Sequence, residues 1–167
     1  ALRLHSSGLC MVQLNSNDGL DELRQKLASS GDISHLVWLV PADVPTSLCD
    51  ESILTSQSHG LLFALNLTQA LLASGYGARP LTWTTVIRGT VALHAGEQAN
   101  PTHAGLQGFI GSLAKEYPHW SLQLIDVAAT GELPVPTLLR PFATKRGLCA
   151  YRKGLWFQKR ACVIERM

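Results

Sequence analysis

The sequence contains few charged residues. Asp, Glu, Lys and Arg make up 16% of the 167 residues, against roughly 25% in an average soluble domain. The formal net charge is only +2, so the chain lacks the concentrated positive field that attracts nucleic acid or an anionic membrane surface. Because 46% of the chain is hydrophobic, we expect its weakly charged surface to contact other protein rather than either of those partners.

Cysteine is also sparse and widely spaced. The four residues, Cys10, Cys49, Cys149 and Cys162, form no CxxC pair, which argues against a metal or redox motif. We predict buried free thiols in a reducing cytoplasm. No apolar run reaches the roughly 18 residues that span a bilayer. The first residue is Ala1 rather than Met, and we expect a cytoplasmic piece of a longer polypeptide.

Strand-like runs alternate with helix-like patterns along the chain. A length of 167 residues suits one domain spanning 1–167. We predict strands over 8–14, 35–40, 81–87 and 120–127, helices over 18–31, 56–74 and 100–117, one helical turn over 137–142, and a closing hairpin over 148–159. This order indicates an α/β fold, a truncated Rossmann-like parallel sheet flanked by helices on both faces, with a C-terminal antiparallel hairpin.

The most informative segment runs from residue 100 to residue 127. Asn100 is a suitable N-cap and Pro101 suits the first helical position. The following helix contains the glycines Gly105, Gly108 and Gly111. Glycine inside a helix costs roughly 1 kcal/mol relative to alanine, so we expect close packing against a partner backbone to compensate for them.

The same segment resembles a family signature, PxHAxxxGxxGSxAKEYPxWxxxxxD, from ketoreductase regions of modular polyketide synthases, especially those served by a separate acyltransferase. The matching residues are Pro101, His103, Ala104, Gly108, Gly111, Ser112, Ala114, Lys115, Glu116, Tyr117, Pro118, Trp120 and Asp126. The resemblance implies the structural subdomain of such a reductase, which precedes the catalytic half. It is specific in this segment and diffuse over the rest of the chain.

The sequence lacks the motifs of a working short-chain reductase. Such an enzyme needs Tyr-x-x-x-Lys, whose Lys lowers the pKa of the proton-donating Tyr. Here Tyr76, Tyr117 and Tyr151 are followed at that spacing by Pro, Ser and Leu. The loop after the strand over 35–40 reads Pro-Ala-Asp-Val-Pro and contains none of the glycines of a dinucleotide loop. We therefore predict no catalytic, cofactor-binding or metal-binding residues and no NADPH binding.

Two patterns in the signature segment have simpler explanations than chemistry. The glycine spacing could suggest a phosphate loop, but it lies inside a helix rather than between a strand and a helix. Lys115 and Glu116 could be a catalytic pair, but a solvated helix end explains them better because Lys complements the C-terminal dipole. The histidines do not occur at metal-ligand spacing.

A basic region lies near the C-terminus. It comprises Lys145, Arg146, Arg152, Lys153, Lys159 and Arg160. An ordinary solvated hairpin is the favoured interpretation, and the alternative is a surface that attracts an acidic acyl carrier protein.

The resemblance and the missing motifs together predict a non-catalytic domain. It would brace a catalytic reductase half or, as a pseudo-ketoreductase, hold adjacent synthase domains in place. The alternative is a docking module that recruits a trans-acting enzyme or a carrier protein.

Overall fold

Within the described residues, five strands form one mixed sheet. The structure is a computed structural model that describes residues 14–15, 17–42, 49, 51–138 and 147–159. The strands are β1 (His35–Leu39), β2 (Leu81–Arg88), β3 (Trp120–Val127), β4 (Gly147–Arg152) and β5 (Leu155–Gln158). The helices are α1 (Leu20–Ser29), α2 (Ser52–Ser56), α3 (Leu61–Ala73), α4 (Gly105–Glu116) and α5 (Val135–Leu138).

The strands lie side by side in chain order, with β1 to β4 parallel and β5 antiparallel to β4. Right-handed crossovers from β1 to β2 and from β2 to β3 place α3 and α4 on the same side of the sheet. The buried residues of α1, α3 and α4 accordingly share one core cluster, whereas Leu138 of α5 belongs to a smaller cluster. The α/β prediction is therefore confirmed, but the three longer helices lie on one face rather than on both.

Tryptophans line the helix-covered face of the sheet. Trp83 of β2 lies between Trp38 and Trp120, with ring centroids 6.5 Å away on each side. The Trp120 indole N–H donates to the carbonyl of Tyr76 at 3.0 Å, and the Tyr76 hydroxyl accepts from the Ile33 N–H at 2.8 Å. These bonds give the buried Trp120 indole N–H and the Tyr76 hydroxyl a partner, so these two rings are fixed in position as well as buried.

Helix starts differ from the predictions. Asn100 caps a turn by accepting from the Thr102 N–H at 3.0 Å, but α4 begins only at Gly105. The helix predicted over 18–31 begins at Leu20, and the Asp18 carboxylate accepts from the Asn15 N–H and from Lys26, each at 2.7 Å. In both cases the side chain accepts a hydrogen bond from a backbone N–H of the loop before the helix, and not from a backbone N–H of the helix itself.

The remaining boundaries follow the sequence more closely. The helix predicted over 56–74 is α3 together with a preceding 3-10 turn (Gln57–His59), which Gly60 separates from α3. Of the turn predicted over 137–142, residues 137 and 138 end α5, and 139–142 lie outside the described residues. The hairpin is confirmed, with Lys153 and Gly154 both at positive φ in its turn. The strand predicted over 8–14 lies, apart from Leu14, outside the described residues, and Leu14 is not in a strand.

A buried polar chain crosses the other face of the sheet. The Thr84 hydroxyl donates to Gln123 Oε1 at 3.5 Å, so it accepts from the His35 Nε2–H at 3.0 Å. Thr84 and Gln123 are 1% and 8% exposed. Burial lowers the pKa of His35 below its ordinary value, because the surroundings solvate an imidazolium poorly.

We predict that the folded protein loses stability as the pH falls below about 6.5, the ordinary pKa of histidine. Below that pH the unfolded chain binds a proton at His35 that the folded chain resists, whereas above it both forms are neutral. Denaturant unfolding at pH 7.5 and pH 5.5 measures the loss. In His35→Gln the loss of unfolding free energy between the two pH values should be smaller. An equal loss in both proteins would show that protonation of His35 is not its cause.

Candidate functional site

The carboxyl ends of β1, β2 and β3 form the edge at which folds of this type bind ligands. Three segments lie there: the residues after Val40, the loop over 89–100 that follows β2, and the residues after Val127. This edge is therefore the place to look for a cofactor site.

His103 lies beyond β1, against the backbone of two neighbouring segments. Its Nε2 is 3.1 Å from the carbonyl oxygen of Pro41. Its Nδ1 is so close to Gly60 that a Cβ on that glycine would be 2.4 Å away. Because His103 is 5% exposed, the imidazole fills space next to the end of β1.

The loop over 89–100 turns back on itself at its base. The Asn100 N–H donates to the carbonyl of Gly89 at 2.7 Å, and the Gly89 N–H donates to Val127 at 2.9 Å. Gly89 has a φ of +62°, and a Cβ there would lie 2.9 Å from the Cβ of Ala129. Both the positive φ and the close approach require glycine at this position.

Asp126 holds the first residues of this loop. One carboxylate oxygen accepts from the Thr90 N–H at 2.8 Å and the other from the Val91 N–H at 3.2 Å. The residue is fully buried, with 0% exposure. Since an isolated buried carboxylate is strongly unfavourable, the site requires a cation close by.

Arg152, the last residue of β4, supplies that cation. Its Nη2 donates to Asp126 Oδ2 at 2.6 Å and to the Val91 carbonyl at 2.9 Å. Its Nη1 donates to the carbonyls of Asp126 at 2.8 Å and of Tyr151 at 3.0 Å. The guanidinium is 6% exposed, so it joins β3, β4 and the loop over 89–100 inside the protein. We call Asp126 and Arg152 the buried pair.

Glu97 closes the other end of the same loop. Its carboxylate accepts from the Leu93 N–H at 3.0 Å and lies 3.8 Å from Arg152 Nε. The hydrogen bond from Leu93, together with the charge of Arg152, holds the pKa of Glu97 below its ordinary value. The loop is thus held at both ends by one guanidinium and two carboxylates.

Arg152 corrects the sequence prediction of a solvated basic hairpin. Lys153 and Lys159 are exposed, but Arg152 is buried against Asp126. The other members of the basic region, Lys145, Arg146 and Arg160, lie outside the described residues. A carrier protein could therefore reach Lys153 and Lys159 but not Arg152, and its docking here stays a prediction.

Other candidate residues lie apart from this edge. Lys115 and Glu116 are exposed in the last turn of α4. Cys49 is exposed, so the prediction of buried thiols is wrong there, whereas burial raises the pKa of the half-buried Cys149. Among the described residues no three His, Cys, Asp or Glu side chains cluster as metal ligands. No helix in the described part of the chain is long and apolar enough to cross a membrane.

Comparison with known proteins identifies the chain's relatives. No protein-family model matches it. Polyketide synthase PksN of Bacillus subtilis (strain 168) is 32% identical over 155 residues, which is 92% of this chain and 3% of PksN. Polyketide synthase PksM of the same organism is 29% identical over 95% of this chain and 4% of its own length. Polyketide synthase ThaG of Burkholderia thailandensis is 30% identical over 72% of this chain and 2% of its own length.

The chain is homologous to segments of polyketide synthases. It spans only a few percent of the length of these relatives. A solved multidomain structure of a keto acid-selecting NRPS module, with adenylation, ketoreductase and pseudo Asub parts, matches 89% of this chain and 14% of its own at TM-score 0.68 and 19% identity. A citronellol catabolism dehydrogenase, AtuB of Pseudomonas aeruginosa PAO1, matches 65% of this chain and 47% of its own length, at TM-score 0.50 and 15% identity. These structural likenesses show the fold.

Sequence reasoning missed the buried pair, although one sign of it was visible. Asp126 is the last residue of the family signature and lies beside Leu124, Ile125 and Val127 in a strand predicted to be buried, and a carboxylate in that position requires a buried partner. Nothing in the sequence identified the partner as Arg152, which is 26 residues away and next to the exposed Lys153.

We predict that Arg152→Met lowers the free energy of unfolding by about 3 to 5 kcal/mol, because it leaves the Asp126 carboxylate buried without its cation. Lys153→Met is the matched control, since it removes a neighbouring exposed cation and should cost less than about 0.5 kcal/mol. Denaturant unfolding of the three proteins makes the comparison. Equal effects of the two substitutions would show that Arg152 is solvated after all.

Proposed function

We propose that this chain is a non-catalytic structural domain of a polyketide synthase, the structural half of a ketoreductase or a pseudo-ketoreductase of the trans-acyltransferase type. Its role is to brace neighbouring domains of the same polypeptide rather than to reduce a ketone. Homology to polyketide synthase segments supports a place within such a synthase. The filling of the sheet edge by His103 and the buried pair supports the absence of catalytic activity.

The observation that carries this proposal is the occupation of the ligand edge by the chain's own groups. A dinucleotide needs glycine-rich backbone beyond the first strand, where its pyrophosphate can approach closely. Here His103 contacts the carbonyl of Pro41 in that space, and the buried pair holds the neighbouring loop over 89–100. The sequence also offers no Tyr-x-x-x-Lys to protonate a ketone.

The alternative role, a docking module for a carrier protein or a trans-acting enzyme, has narrower support. The exposed cations Lys153 and Lys159 would attract an acidic partner. The two roles differ in what the chain binds, since a brace pairs with adjacent domains of its own polypeptide and a docking module captures a separate protein.

We predict no saturable NADPH binding and no reduction of ketones by the purified chain. Calorimetric titration with NADPH measures binding, and NADPH consumption with a β-ketoacyl thioester measures turnover. A short-chain reductase that contains Tyr-x-x-x-Lys is the positive control for both assays. Saturable binding at micromolar NADPH would contradict the proposal, because the sheet edge would then have to open for the cofactor.

A further inference from the structure

We draw no further inference here: the strongest candidate, an open groove of about 700 Å³ between α1 and residues 73–79, carries none, because its two arginines, Arg24 and Arg79, each pair with an aspartate and nothing in the structure shows what ligand would fill it.

Discussion

The structure depends on one buried ion pair. Asp126, the penultimate residue of β3, is 0% exposed, and Arg152 at the end of β4 donates a 2.6 Å hydrogen bond to it. Two buried charges are tolerable only when nearly every donor and acceptor is used. Here the carboxylate accepts two loop N–H groups and the guanidinium donates to three carbonyls. The geometry of β3, β4 and the loop over 89–100 is therefore fixed together.

This constraint lies where related folds bind ligands. In an open α/β sheet the loops beyond the strand ends are the variable, functional part. In this chain those loops are joined to the sheet by the buried pair, by Glu97 and by the contact of His103 with Pro41. This filled edge is the observation on which the proposed bracing role rests.

The sequence predicted regular structure better than it predicted tertiary contacts. The strand over 120–127 and the hairpin turn at Lys153 and Gly154 agree with the structure because periodicity and turn chemistry are local. The start of α4 was wrong by four residues, since Asn100 has a local alternative that caps a turn instead. The basic residues around Arg152 in the sequence predict a surface position for it. Only the register of β4 against β3 places it beside Asp126. The exposure of Gly108 and Gly111 likewise follows from packing that no local pattern encodes.

Amide hydrogen exchange at Thr90 and Val91 tests the central claim most directly, because these are the N–H groups that the Asp126 carboxylate accepts. If the buried pair fixes the loop and the chain has no cofactor site, both amides exchange only through global unfolding. Their rates are then the same with and without saturating NADPH. Exchange through local opening of the loop, or rates that change with NADPH, would contradict the account.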